Sequence, residues 1–319
     1  MSKYPKVLGH EGAGFVEEVG LGVQVAAVGD PVLLSYDYCK KCDLCIAEQP
    51  SYCTSWSLLN IVGEQGSLER AANREDISGK FFGQSSFSAV AVVSETSVVN
   101  VKEAIKNEEE LKLLAPLGCG LMTGSGAVMN AAHAKPDDIV LVTGLGAVGL
   151  AAIMAAKVVG CKEIIAVDRV ASRLEIAQEL GASKVLDTSK DGPDLATRIS
   201  DLVNNQRIAY AIETTGAIPV INGALRALGK RGKLIQVGLP QPGAELTINL
   251  SEFLRQSNVY ESHSMGGTTG SVMIPLMLQW YRNGKFPVEK LVSFVPVARF
   301  TEAVEGMKSG TMIKPILLW

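Results

Sequence analysis

The spacing of apolar and polar positions divides this chain into two regimes. In 7–34, short apolar runs alternate with glycine (VLGHEGAGFVEEVG, then VAAVGDPVLL), which predicts short antiparallel strands with turns at 20–22 and 29–30. Residues 57–80 scatter a few apolar residues among polar and charged ones, a pattern of loop and turn, and SAVAVV at 88–93 alternates as a strand does. Residues 111–132, LKLLAPLGCGLMTGSGAVMNAA, are apolar and rich in small side chains, as in a helix leading from one domain to the next. From 138 onward strands and helices take turns. An apolar run at 139–142, a glycine-rich turn, a small-residue helix stopped at Gly160 and a second apolar run ending at Asp168 make one strand–helix–strand unit. Then come a helix at 172–180 with Gly181 as its C-cap, the strand KVLD, a helix at 194–203 and the strand IAYAIETTG ending at Gly216. A helix at 219–228, the strand GKLIQVGL, a strand with a glycine turn over 259–267, helices at 271–283 and 300–308 and the terminal strand KPILLW complete the chain. Such alternation predicts a parallel sheet covered on both faces, hence an α/β fold with a doubly wound sheet beside a β-rich first domain.

The glycine-rich turn, Gly144-Leu145-Gly146-Ala147-Val148-Gly149, has a spacing with a physical purpose. Gly144 permits the tight turn, Gly146 lets a pyrophosphate approach the backbone, and Gly149 lets helix and strand pack closely. The helix N-terminus adds free N–H groups and a positive dipole end for phosphates. With Asp168 placed 19 residues beyond Gly149, the unit reads as a dinucleotide site. The Asp168 carboxylate can accept ribose hydroxyls and would repel a 2′-phosphate, which favours NAD over NADP. Arg169 beside it either meets such a phosphate or is a solvated surface arginine, the second being favoured. Glu213-Thr214-Thr215-Gly216 and Val237-Gly238-Leu239 lie at the C-terminal ends of strands, either as cofactor contacts or as turns.

Length and charge narrow the setting. At 319 residues the chain can hold two domains, and a net charge of −3 offers no basic field for nucleic acid or an acidic membrane surface. No apolar run reaches spanning length, and MSKYPKVLGHEG reads as neither signal nor transit segment, so a soluble cytoplasmic protein is expected. Four of six cysteines, Cys39, Cys42, Cys45 and Cys53, crowd into 15 residues. In that setting the cluster points to metal rather than disulfides, and four thiolates can close a tetrahedron around one zinc ion, leaving no open position.

The motif Gly9-His10-Glu11, with Gly14, Gly20 and Val23 at fixed offsets, resembles the signature of the zinc-containing alcohol dehydrogenases of the medium-chain dehydrogenase/reductase superfamily. The resemblance continues to Trp319 and implies a GroES-like catalytic domain over 1–120, with its structural zinc lobe at 39–53, a Rossmann NAD-binding domain over 121–263 and a return to the first domain over 264–319. It implies that His10 and Cys119 hold a catalytic zinc, that Glu11 approaches the same metal, and that Thr123 lies near the nicotinamide. Arg173 would sit near the adenosine ribose, Lys314 at the pyrophosphate, and the glycine turn near 267 at the carboxamide. Taken alone, a lone histidine or a cysteine in an apolar stretch is usually structural, as is a surface arginine or lysine. Phe81-Phe82-Gly83-Gln84-Ser85-Ser86-Phe87 is similar to a segment of the aryl and benzyl alcohol dehydrogenases, and its rings either wall an apolar substrate cleft or belong to the core. The resemblance implies an alcohol or aldehyde substrate and a homo-oligomer.

One ligand departs from the pattern. Similar enzymes draw a further cysteine and a proton-relay residue from a segment before the G-H-E motif, whereas eight residues without cysteine precede Gly9 here, so the GroES-like domain is expected to be truncated. Cys161, His133 and His263 belong to the nucleotide-binding half and are poor substitutes. The chain is therefore expected to oxidise alcohols weakly or not at all. The alternative is a catalytically impaired fragment, or a truncated gene model, that keeps NAD and the structural zinc.

Overall fold

The computed structural model describes residues 4–192 and 194–319. The first three residues of the expected catalytic domain, and Pro193, lie outside the described residues. The chain divides into two compact units. One contains the chain up to Met122 together with Gly267–Tyr281 and Leu291–Trp319; the other contains Thr123–Gly266 and Arg282–Lys290.

In the first unit β1 (Ala13–Phe15) pairs antiparallel with β2 (Pro31–Leu34), and the short helix α1 (Asp43–Ile46) stands within the cysteine lobe. Residues 57–80 are more ordered than their polar composition suggests. A π-helical turn, Leu58–Val62, leads into a hairpin of β3 (Glu64–Arg70) and β4 (Glu75–Gly79). Its strands bury little and are joined by charge: Arg70 bonds its register partner Glu75 at 3.1 Å, Arg74 meets Glu69 at 3.3 Å, and Lys80 reaches Glu64 at 2.9 Å. Cross-strand ion pairs take the place of the apolar alternation that marks a strand.

The expected strand at 88–93 is an irregular segment, with Val90 and Val92 64% and 73% exposed. Alternation alone does not supply a ladder partner, and the strand forms later, as β5 (Val98–Asn100) against β2. The single helix expected over 111–132 is broken. Helix α2 (Glu108–Leu113) is capped by Asn107, a 3₁₀ turn follows at Ala115–Gly118, and α3 (Gly120–Gly126) runs into a π-helical turn, Ala127–Ala132. The break falls on Cys119, whose backbone is non-helical at φ −144° and ψ −78°. Pro116, which has no N–H to give a helix interior, stands in the turn before the break, and Gly118 packs so closely on the end of β2 that a Cβ there would lie 1.8 Å from the Leu34 carbonyl oxygen.

The second unit is built on β6 (Ile139–Thr143), α4 (Ala147–Val159), β7 (Glu163–Asp168), α5 (Ala171–Leu180), β8 (Lys184–Asp187), α6 (Leu195–Leu202), β9 (Tyr210–Glu213), α7 (Ile218–Ala227), β10 (Lys233–Gln236), α8 (Leu250–Gln256) and β11 (Val259–Ser262). Its six strands run parallel in the order β11-β10-β9-β6-β7-β8, the doubly wound order with its switch point between β6 and β9. Ile139, Leu141, Ile165, Val167 and Leu234 pack with Ile199 of α6 and Ile221 and Ala224 of α7, while α4 buries every residue from Gly149 to Ala156. Helix α8 is an addition to the sequence reading. Its signals were present in the sequence, with Asn249 three residues before Glu252 and Leu250, Phe253 and Leu254 at helical spacing; Leu250 and Leu254 are exposed while Phe253 packs on the core.

Helix α9 (Gly270–Arg282), β12 (Val292–Pro296), α10 (Phe300–Ser309) and β13 (Lys314–Leu318) close the chain, β12 and β13 pairing in parallel. Strand β12 was also absent from the sequence reading, since its partner lies beyond a helix. No described helix is long and apolar enough to cross a membrane.

Candidate functional site

The loop that carries His10 is shaped by Gly9, at φ +94°, where a Cβ would lie 2.3 Å from the Phe87 amide nitrogen. The loop lies against 86–87, with the N–H of Ser86 donating to the Gly9 carbonyl at 3.1 Å and that of Phe87 to Leu8 at 2.9 Å. At the helix break across the chain, Cys119 comes to meet it: one ligand atom each from His10, Glu11 and Cys119 lie within 4.8 Å of one another. The His10 ring is packed by Phe82, centroids 4.6 Å apart, and edge-on by Phe81 at 5.8 Å. Phe82 is buried, whereas Phe87 is half exposed.

Charge in this cluster is balanced by Lys314, whose ammonium is ion-paired with the Glu11 carboxylate. Glu11 also accepts the Gly120 N–H at 2.7 Å. Burial pushes the Glu11 pKa up, but Lys314, His10 and the Gly120 N–H outweigh it, and the group is held below its ordinary range. Lys314 is the mirror case, lowered by burial and raised further by Glu11, with a net rise. Burial lowers His10, which keeps the imidazole neutral and its lone pair free for a metal. Burial and the charge of Glu11 raise the Cys119 thiol, so without a metal it stays protonated and a metal must displace that proton. One nitrogen, one oxygen and one sulfur donor around a common point form a set that zinc accepts, and three protein ligands leave a position for substrate.

Cys39, Cys42, Cys45 and Cys53 also converge, their sulfurs all within 4.8 Å of one another. Cys39 and Cys45 are 3.9 Å apart and Cys42 and Cys53 4.0 Å. Zn–S bonds of about 2.3 Å in a tetrahedron require sulfurs about 3.8 Å apart, so the lobe has the dimensions of a closed zinc site. The Cys42 N–H points to the Cys39 sulfur at 3.3 Å and the Cys45 N–H to Cys42 at 3.4 Å. Such bonds from Thr54 and Cys45 lower Cys42 to about 6, and those from Lys41 and Cys42 lower Cys39, while burial raises Cys45 to about 12 and also raises Cys53.

In the second unit Gly144 turns at φ +84°, and a Cβ on it would lie 2.7 Å from the Thr214 hydroxyl. A Cβ on Gly149 would lie 1.9 Å from the Gly144 carbonyl oxygen, whereas Gly146 faces open space. Leu145, Ala147 and Val148 complete the turn and the first residues of α4. Asp168 is buried at the end of β7, its carboxylate accepting from the N–H groups of Leu145, Arg169 and Val170 at 2.6, 2.7 and 2.9 Å. It thus joins the glycine turn to the entry of α5 and retains lone pairs for a ribose. Arg169 is exposed, and Arg173 is half-buried on α5 with its Nε shielded from solvent and unbonded. This turn, with its helix N–H groups, open space at Gly146 and a buried acid, fits a dinucleotide. Glu213 is wholly buried and accepts from the N–H groups of Thr215 and Gly216, so it shapes the loop after β9. Val237 and Gly238 donate back to the Glu213 carbonyl. Thr123 is half-buried in α3. His133 is exposed at a helix end, Cys161 lies near Asp138, and His263 sits 3.5 Å from Glu261; these belong to the second unit and join neither cluster.

Sequence reasoning missed the bond between Lys314 and Glu11, residues separated by nearly the whole chain, for which no local pattern exists. It also read Gln84 only as part of a run of aromatics.

Known families extend the picture. An alcohol dehydrogenase GroES-like domain matches residues 1–103, and a zinc-binding dehydrogenase domain matches 147–282. Geraniol dehydrogenase of Castellaniella defragrans is 36% identical over 318 residues, 99% of this chain and 84% of that protein. Among solved structures, an alcohol dehydrogenase zinc-binding domain protein from Burkholderia ambifaria superposes with a TM-score of 0.92 at 36% identity, over 99% of this chain and 84% of that one. Benzyl alcohol dehydrogenase from Acinetobacter calcoaceticus gives 0.90 at 35% identity, over 99% and 85%.

Proposed function

The chain belongs to the zinc-binding alcohol dehydrogenases of the medium-chain superfamily, and from that premise we propose that it moves hydride between NAD and a primary alcohol whose carbinol carbon adjoins an unsaturated carbon, aromatic alcohols foremost. The observation that carries the reading is the convergence of His10, Glu11 and Cys119 within 4.8 Å. His10 and Cys119 would hold the catalytic zinc, with Glu11 as the third donor, and the four-cysteine lobe would hold the structural one. Bound there, zinc supplies Lewis-acid polarisation of an alcohol or carbonyl oxygen.

The chain's own groups do the rest. His10 is kept neutral by burial and Lys314 keeps Glu11 anionic, so the nitrogen and oxygen donors are ready at neutral pH, while the Cys119 thiol would give up its proton as the metal binds. In the other unit the N–H groups at the start of α4 would take the pyrophosphate, and Asp168, with Arg173 nearby, the adenosine ribose. Phe81 and Phe82, beside the imidazole, supply aromatic surface suited to a flat, unsaturated substrate. The relatives that act on geraniol and benzyl alcohol support the same class. Assembly into a homo-oligomer belongs to the same proposal.

Purified protein given NAD and either benzyl alcohol or ethanol tests it. Turnover of benzyl alcohol in preference to ethanol, abolished by a chelator and restored by zinc, is expected. A clear preference for ethanol removes the aromatic class, and turnover indifferent to metal removal defeats the zinc assignment.

A further inference from the structure

The FFGQSSF run does more than offer rings. Gln84 within it is fully buried, and its side-chain oxygen accepts the Gly12 N–H at 3.1 Å while its nitrogen donates to the Ser35 carbonyl at 2.8 Å. Ser35, also buried, donates its hydroxyl to the Gly118 carbonyl at 2.7 Å. Gly12 is the residue after Glu11, and Gly118 the residue before Cys119. One continuous path of hydrogen bonds therefore runs from the loop that bears His10 and Glu11, through Gln84 and Ser35, to the turn that bears Cys119.

The same segment grips the first loop elsewhere, Ser85 donating its hydroxyl to the Val7 carbonyl at 2.7 Å, and the end of β2 grips it too, Leu34 donating its N–H to the Gly12 carbonyl at 2.8 Å. Neither loop has room to drift, since a Cβ on Gly12 would lie 2.7 Å from Ser86 Cβ and one on Gly118 would strike the Leu34 carbonyl oxygen. Gln84 is suited to this place because an amide both accepts and donates, and its two partners demand one of each. A metal site tolerates only about half an ångström of error in the placing of its ligands. His10 and Cys119 are far apart in sequence, so that tolerance must be met by the contacts between their loops.

We propose that Gln84 and Ser35 are positioning residues that set the separation of the two ligand-bearing loops, and so the metal affinity of the His10–Glu11–Cys119 cluster. The inference rests on the zinc reading above, and the four-cysteine lobe gives it an internal reference in the same chain. Two variants break the path at different points. Ser35→Ala removes only the hydroxyl that reaches Gly118, and Gln84→Met removes both amide bonds at similar volume. Each is loaded with zinc, or with cobalt for its absorption spectrum, and titrated with a chelator while both metals are followed.

The expected result is that both variants retain the four-cysteine metal with unchanged resistance. The second metal should leave about 10–100-fold more readily, as is typical when a group supporting a ligand is removed, with an altered cobalt spectrum from that site alone. If Ser35→Ala holds both metals with the parent's affinity and spectrum, the inference is wrong. If it loses both in parallel, or does not fold, the path is merely structural and the inference is equally overturned. A parent chain that binds only the four-cysteine metal brings down the zinc reading and the inference with it, and that outcome is visible before any variant is made.

Discussion

Substituting alanine for each of two glycines in one turn should separate folding from nucleotide binding. At Gly149 the new methyl would lie 1.9 Å from the Gly144 carbonyl oxygen, 3.0 Å from its carbon and 3.3 Å from the Thr214 hydroxyl. Ordinary contact begins near 3.4 Å, so α4 must retreat by about an ångström and a half or the turn must unwind. Gly149 begins a stretch buried through Ala156, and retreat loosens that whole face. Overpacking of this kind costs about 1–3 kcal/mol, or about 3–10 °C in melting temperature for a unit of this size. Gly146 is the opposite case. Its φ is −73°, which any residue adopts, and a methyl there meets no atom within 4 Å. Gly146→Ala should therefore leave the melting temperature within about 2 °C of the parent, because the cost of about 1 kcal/mol for alanine at a helix N-cap is largely offset by the smaller freedom that alanine leaves the unfolded chain. It should weaken NAD by about tenfold or more, a cost of about 1.4 kcal/mol, because the methyl occupies the space left for the pyrophosphate. Thermal denaturation without nucleotide and NAD titration by calorimetry give the two readouts. If Gly149→Ala melts with the parent, or Gly146→Ala binds NAD as tightly as the parent, the division of labour in this turn is wrong.

Three other perturbations have defined outcomes. Cys42→Ser should remove about one zinc per chain by elemental analysis, because a tetrahedral site that has lost a thiolate is no longer closed; unchanged zinc content would refute the four-cysteine site. In the metal-free protein Lys314→Met should destabilise by about 3 kcal/mol, at the low end for breaking a buried ion pair because the lysine side chain keeps 21% exposure. Adding Glu11→Gln should restore most of that loss in urea denaturation, and no restoration would mean that the lysine acts through packing rather than charge. Asp30 accepts from the Ala27 N–H, Lys102 and Asn100, and these bonds hold its pKa below the ordinary carboxylate range. A depressed pKa gives stability that is present above the unfolded value and lost as pH falls through the folded one. The advantage of the parent over Asp30→Asn should thus be full at neutral pH and fade on acidification, and a gap that widens in acid would reverse the assignment.

How much could be read in the sequence followed the distance over which each feature is made. The glycine turn, Asp168 and the four cysteines are each complete within a few tens of residues, and the left-handed helix stops at Gly160 and Gly181 depend on their own backbone alone. Features made by remote partners were out of reach. The 64–79 hairpin has no hydrophobic period and carries exposed ion pairs instead, β12 finds its parallel partner beyond α10, and the packing of Gly118 on the end of β2 has no local sign, although Pro116 marks the helix break itself. The same distinction separates the two metal sites. The cysteine lobe spans 15 residues and brings its backbone N–H groups with it, so closing it costs little chain entropy. The second cluster joins residues 109 apart and has no local means of holding its dimensions. Its geometry is a property of the packed β1–β2 region, carried to Cys119 through Gln84 and Ser35, so loosening of that packing should release its metal while the lobe still holds its own.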